Sequence, residues 1–362
     1  MYHGMKIISR HILKEFVFIF FLCITALISL YLIIDLFEKI GSLMENHATM
    51  SEGLKFFLYK IPSIMYQTVP VAVILATLLS LGIFSKNVEI TAMKAGGISI
   101  IRIVAPIIIS AVIISFISFI INEYIAPPAK KQVNIIKKYR IDKKGEMGLF
   151  KQNRIWYRGK NNLYSIRYLD LQNGIMHGIT VYEVDNNFNL VSRADVEEAR
   201  WAEGKWQVRT GIKREFKNGV INTSVLKNGI LPINETPDEL QITEKLSDEM
   251  TFSELRDYIA KLTEDGYDAT RYMVDLHGKI AFPFVNIIMA IIGIPFALRS
   301  GRHSGIAMGI GLSVIIGFSY WIVHAITVSL GYSGIFPPII SAWSANFMFG
   351  IAGVLMFMNV RQ

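Results

Sequence analysis

SKNVEITAMKAGGIS, residues 85–99, stands between two long apolar runs, and its reading decides the fold. It carries Glu89 near its start, Lys94 near its end, and the pair Gly96-Gly97 after them. Asn87 has the side chain of an N-cap, Glu89 falls in the positive first turn, Lys94 nears the negative last turn, and Gly96 is placed to stop a helix. The pattern predicts a short helix over about 87–96. Such a helix falls below the roughly 12–15 residues at which isolated helices become marginal in water. Something must therefore stabilise it. Two readings are open: packing on the chain's own span ends or lipid headgroups, or docking into a groove of a cytosolic partner with Glu89 offered to a basic residue.

The flanks make this a membrane protein. Of 362 residues 52% are hydrophobic, with a mean hydropathy of +0.39. The apolar residues gather in runs of about twenty, the length that crosses a bilayer as a helix. Six spans are predicted: Phe16–Phe37, Ile61–Phe84, Ile103–Ile125, Ile280–Leu298, Ile306–Leu330 and Phe336–Met358. The first lacks a small-residue cleavage site and is too long for a signal-peptide core, so it is expected to stay in the mature protein. Lys6, Arg10 and Lys14 precede the first span; Lys86, Lys94 and Arg102 separate spans two and three; Arg299 and Arg302 separate four and five. The loop after span one mixes Lys39 and Lys55 with Glu38, Glu45 and Glu52, and the loop between five and six has no charge. Positive loops face the cytoplasm, which places both termini and residues 85–99 inside and the stretch between spans three and four outside.

That outer stretch, 128–250, reads as all-β. Turn signals recur at Asn161-Asn162, Asp185-Asn186-Asn187, Glu203-Gly204, Asn218-Gly219 and Asn228-Gly229, with short alternating segments such as GITVYEV between them. Asn-Gly pairs favour type I′ hairpins, and many short strands at this spacing suggest a sandwich or jellyroll. Residues 251–277 then read as an amphipathic connecting helix. Thr251 and Glu254 form a capping-box pattern, Leu255, Tyr258, Ile259 and Leu262 an apolar stripe, and Gly266 a stop. The chain thus divides into 1–127 (spans one to three), 128–250, 251–277 and 278–362 (spans four to six).

Signatures of catalysis are missing. Gly159-Lys160, Gly204-Lys205 and Gly278-Lys279 lack the remaining residues of a phosphate-binding loop. The seven histidines are scattered, no metal-ligand cluster is spaced as one, and no GxSxG elbow occurs. The expectation is a non-catalytic chain with no metal and no cofactor of its own. Its net charge of +8 resides in inside loops and the outer domain and does not point to nucleic acid. Cys23, the single cysteine, lies within span one and reads as a packing residue. Polar residues within spans are functional candidates: Asp35 and Glu123 at outer span ends, where interfacial solvation also accounts for them, Asn286 and Asn346 as helix bridges, and His324 in span five. Gly301, Gly305, Gly309, Ser313 and Gly317 make a ridge of small side chains on span five. Such ridges let helices approach closely, within the chain or against a second permease chain. An ion-coupled transporter and a membrane-anchored scaffold whose β domain binds a partner stay open as alternatives.

NVEITAMKAGGIS, NEYIAPP at the end of span three, LRDYIAKLTEDGYDATRY before span four and IFPPII at the start of span six together resemble the lipopolysaccharide export permeases, the LptF/LptG family, over essentially the whole chain. RIWYRGKNNLYSIRYLD and GITVYEVD look closer to the G-type permease. The resemblance implies a six-helix permease with a periplasmic β-jellyroll in the Gram-negative inner membrane. It implies pairing with a sister permease and with a cytosolic ATPase dimer that uses ATP and Mg. Lipopolysaccharide would enter between span one of one permease and span five of the other, and pass to periplasmic β-jellyroll bridge proteins. Glu89 matches the coupling-helix glutamate, with Ala92, Lys94 and Gly96 on the same helix. Lys39, Lys55, Lys60, Arg271 and Lys279, near the outer membrane level, are the expected phosphate partners, with His324 a further candidate. One departure stands out: G-type members carry a lysine two residues before the aspartate that aligns with Asp35, and here that position is Ile33, so Lys39 or Lys60 is expected to replace it.

Overall fold

The computed structural model describes residues 2–45, 49–137, 155–158, 162–170, 174–185, 189–202, 204–217, 220–231, 233, 246–264, 266, 268–299 and 306–360. The chain forms two compact units, Met1–Asp142 with Leu246–Gln362, and Lys143–Lys245.

The first unit is helical. Its elements are α1 (Tyr2–Glu45), α2 (Met50–Lys86), α3 (Glu89–Ala95), α4 (Ile100–Ile120), a π turn (Ile121–Ile125), α5 (Ala126–Ile136), α6 (Phe252–Glu264), α7 (Thr270–Ala281), a 3₁₀ turn (Phe282–Phe284), α8 (Val285–Arg299), α9 (Ile306–Tyr332) and α10 (Pro338–Met358). Six stretches are long and apolar enough to span: Ile7–Gly41, Met50–Lys86, Ile100–Ile136, Thr270–Leu298, Met308–Tyr332 and Pro338–Met358. These are the six predicted spans, most of them extended by polar-tipped turns. Phe16, Ile74, Leu81, Ile107, Val285 and Ala345 meet in one core. Phe18, Phe21, Phe116, Phe318 and Phe347 point outward and stay exposed, as side chains facing lipid do.

Two boundaries differ from those read in the sequence. The third span does not end near residue 127. Pro127 and Pro128 cannot donate to the carbonyls of Glu123 and Tyr124, and the chain absorbs the loss in the π turn and continues helically to Ile136. Residues 251–277 are not one helix but parts of two, α6 and α7. Gly266, at φ +79°, lies between them. The capping box itself is formed: the Thr251 N–H donates to Glu254 Oε2 at 2.8 Å, and the Glu254 N–H donates to Thr251 Oγ1 at 3.2 Å.

Inside the bundle, the small-residue ridge lies on α2 of the same chain. A β-carbon on Gly309 would stand 3.4 Å from Leu79 Cδ2, and one on Gly317 3.7 Å from Val71 Cγ2. Ser313 is fully buried and donates to the Gly309 carbonyl at 2.8 Å; Gly301 and Gly305 lie outside the described residues. A β-carbon at 309 is already in contact with Leu79 of α2, so the further atoms of a leucine must push that side chain aside. Gly309→Leu is expected to destabilise the bundle by about 1–3 kcal/mol, read as a lowered unfolding midpoint of the detergent-solubilised chain, whereas an unchanged midpoint would contradict the packing. Asn346 bridges helices as expected, accepting from the Tyr320 hydroxyl and donating to the Ala281 carbonyl, both at 2.7 Å. Asn286 does not match it: its Oδ1 has no partner among the described residues.

The second unit holds six antiparallel strands: β1 (Ile155–Arg158), β2 (Asn162–Asp170), β3 (Ile175–Val184), β4 (Leu190–Ala202), β5 (Lys205–Lys217) and β6 (Val220–Ile230). The all-β domain is thus present, its described strands ordered as a meander β1-β2-β3-β4-β5-β6. Asn162, Asp185 and Gly204 of the turn signals stand at strand junctions, while Asn161, Asn186, Asn187, Glu203 and Asn218-Gly219 lie outside the described residues; Asn228-Gly229 does not turn. Gly229 pairs with Val208 inside the β5–β6 ladder and lacks the positive φ that a type I′ turn requires. Buried positions change parity at one line across three strands, between Met176 and Ile179, Val196 and Ala199, and Val208 and Gly211, while registers stay constant. Gly178, at φ +62°, sits on that line. On the polar face, burial pushes the Asp195 carboxyl up, but hydrogen bonds from Arg193, Thr180 and Arg214 outweigh it and hold the group below its usual range.

Candidate functional sites of the helical bundle

Three groups of residues stand out. The first is α3 with its surroundings. Asn87 is not its N-cap: α2 runs through Lys86, so Asn87 closes α2, donating its N–H to the Ile83 carbonyl at 3.0 Å. The chain must then reverse within one residue, and Val88 does so in the left-handed region at φ 64° and ψ 9°. A β-branched residue there is strained by about 1–3 kcal/mol. Asn87 instead donates its side-chain amide to Glu89 Oε1 at 3.2 Å, and His11 Nε2 on α1 lies 3.4 Å from Glu89 Oε2. Ile90 is buried in the bundle core while Ala92, Lys94 and Gly96 are exposed. The helix therefore rests on the chain's own span ends by two apolar side chains, buried Ile90 and half-buried Met93, and turns its polar side outward. His11 gave no signal in the sequence, because nothing in the spacing brings residue 11 to residue 89.

The second group joins α1 to α2. Asp35 is buried, not interfacially solvated: Lys60 Nζ lies 2.6 Å from its Oδ1, and its Oδ2 has no partner among the described residues. Lys60 also lies over the rings of Tyr31 and Phe56, each at 5.6 Å. This pairing arises because α2 begins at Met50, eleven residues before the apolar run at Ile61, which carries Lys60 into the helix wall. Lys39, on α1, contacts Glu38 at 3.4 Å, and Lys55 is exposed on α2.

The third group lines a cavity of about 260 Å³. Lys279 and His324 share it, joined by Tyr66 and Gln67 of α2, Asn122 of the π turn and Tyr332 of α9. Arg271 stacks over the Tyr332 ring at 5.2 Å. Asp275 accepts hydrogen bonds from the Ser247 and Tyr332 hydroxyls, and Asp248 pairs with Lys130 at 3.1 Å. Nearby, both oxygens of Glu123 accept the Phe252 N–H, at 2.9 and 2.8 Å, which ties the start of α6 to the π turn. Ring contacts with Phe282, Tyr320 and Trp321 surround His324. Gln67, Asn122, Asp275 and Tyr332 escaped the sequence reading because single polar residues on four separate elements carry no local pattern. Among the described residues no three His, Cys, Asp or Glu side chains converge as a metal site.

Comparison with known proteins agrees with this architecture. Residues 10–359 match the family described as "Lipopolysaccharide export system permease LptF/LptG". The lipopolysaccharide export system permease protein LptG of Escherichia coli is 24% identical over 332 residues, 90% of each chain. That of Haemophilus influenzae is 22% identical over 348 residues, 92% of this chain and 94% of the relative. An uncharacterized protein of Aquifex aeolicus is 23% identical over 294 residues, covering 79% and 80%. With six apolar helices, a separate antiparallel β unit and a match over nearly its entire length, the chain belongs to the LptF/LptG family of lipopolysaccharide export permeases, multi-pass proteins of the inner membrane.

Proposed function

We propose that the chain is the G-type permease of an ATP-driven lipopolysaccharide exporter, with both termini cytoplasmic and its β unit periplasmic. It extracts lipopolysaccharide from the inner membrane with a sister permease and a cytosolic ATPase dimer, which binds the ATP and Mg, and hands the lipid to periplasmic bridge proteins. The observation that carries this reading is α3: a seven-residue helix between two spans, seated by Ile90 and Met93 and presenting its polar side outward. A helix this short holds its shape by what it packs on, and an outward polar side beside Glu89 suits a partner that pushes on it. Burial supports the path of the lipid. Only 22% of the most apolar window of α1, and the same share of α9, is buried, against 72% for the α7–α8 span. α10, at 28%, is nearly as open; α1 and α9 thus keep apolar surface free for the proposed entry between α1 of one permease and α9 of the other.

Lys39, Lys55, Lys60, Arg271 and Lys279 are the proposed phosphate partners along that path. A lipid phosphate reaching Lys60 would share it with Asp35, in place of the lysine that Ile33 replaces. Photocrosslinkers placed singly at these five positions, in cells making lipopolysaccharide, are expected to capture it from at least one. Silence at all five alongside capture elsewhere on the chain would overturn the assignment.

A further inference from the structure

The β unit spans Lys143–Lys245, so the chain leaves the helical unit after α5 and rejoins it at Leu246. Within the helical unit these two links are fastened to each other. Lys130 Nζ of α5 lies 3.1 Å from Asp248 Oδ2, Lys131 Nζ lies 3.8 Å from Glu254 Oε1, and the Asn134 amide donates to Glu249. Glu123, in the π turn before α5, accepts the Phe252 N–H with both oxygens and sets a carboxylate at the positive end of α6. Ion pairs this exposed are weak singly. Here they act on one short segment together with the part-buried bonds of Glu123 and Asn134.

The returning link is also held from the other side. The Ser247 hydroxyl donates to Asp275 Oδ2 on α7, and the Tyr332 hydroxyl, at the end of α9, donates to Oδ1 of the same carboxylate. Met250 is buried among Leu255, Ile259 and Ala269, which seats the middle of the link. Polar contacts thus run from α9 through Asp275 to residues 247–254, and from there to α5. Networks of this kind carry coupling between packed elements.

We infer that residues 247–254 form a strap that ties α5, α7 and α9 together, so that α9 cannot shift without moving both links of the β unit. The strap lies within the helical unit and does not depend on the export reading.

Hydrogen–deuterium exchange of the full chain in phosphatidylglycerol–phosphatidylethanolamine nanodiscs, read over residues 252–256, tests it. Glu123→Leu removes the acceptor of the Phe252 N–H and should speed exchange there about tenfold, whereas Glu123→Gln keeps an acceptor and should stay near the wild-type rate. Lys130→Glu sets a carboxylate against Asp248 and should speed exchange about threefold or more; adding Asp248→Lys to it should restore the wild-type rate. Tyr332→Phe discriminates a strap from contacts confined to α5 and α6. It removes one hydroxyl on α9, whose bond runs to Asp275 and not to α6, yet exchange at 252–256 should rise about threefold. An unchanged rate in Tyr332→Phe overturns the inference. So does an unchanged rate in Glu123→Leu or, where that variant fails to insert, in Lys130→Glu, and so does a reversed pair that exchanges as fast as Lys130→Glu.

Discussion

Lys60→Met is expected to lower the stability of the membrane-inserted chain by about 3–5 kcal/mol, because it leaves Asp35 ionised, buried and unpaired. The side chains concerned are 20% and 7% exposed, and the pair is 2.6 Å apart. The loss arises from the charge left behind, not from the worth of the pair. Removing both charges, as Lys60→Met with Asp35→Leu, should therefore recover most of the stability or exceed it. Thermal unfolding in one detergent, comparing wild type, the single variant and the double variant, checks this. A single variant as stable as wild type would mean that water reaches Asp35 and that α1 and α2 are not clamped at this point.

The second large effect concerns docking. If Glu89 meets a buried arginine or lysine of the ATPase, Glu89→Ala strands that cation at a cost of about 2–5 kcal/mol, a loss of affinity of roughly thirtyfold or more. The variant should insert, keep its sister permease and co-purify with little ATPase. His11→Ala serves as the control. It removes only the chain's own contact with Glu89, between side chains 56% and 36% exposed, and exposed pairs contribute less than about 1 kcal/mol. Equal ATPase recovery and equal lipid release from wild type and Glu89→Ala would reduce Glu89 to a solvated helix-start residue.

The spans were legible in the sequence because hydrocarbon imposes a length and a composition that no other environment demands. Their ends were not, because hydropathy ceases to report where a helix leaves the bilayer. Lys60, Asn122 and Ile136 all sit on helix that lies outside the apolar runs or at their edges. The capping box at Thr251 was readable since both its partners are three residues apart; the cap at Asn87 failed because the preceding helix ran one turn further and claimed that residue. Asn228-Gly229 shows the same limit, a strong local turn signal overridden by a long ladder with β5. Lys60 and Lys279 were named as outer-level basic residues once the family resemblance was in view, and His324 as a polar residue within a span; none of these signals described their setting. Asp35 opposite Lys60, His11 beside Glu89 and Asp275 beside Tyr332 are contacts between positions 25, 78 and 57 residues apart, respectively, and such meetings exist only once helices pack.

In the proposed function, the chain moves lipopolysaccharide only through a partner's ATP hydrolysis. Native-membrane purification of the chain, reconstitution of everything that accompanies it into lipopolysaccharide-loaded proteoliposomes, and measurement of lipid release with and without ATP tests it most directly. A sister permease and an ATPase are expected to accompany the chain, release is expected to require ATP, and the chain reconstituted alone is expected to release nothing under a proton or sodium gradient. Release by the chain alone on such a gradient, or a purified assembly without an ATPase, would contradict it.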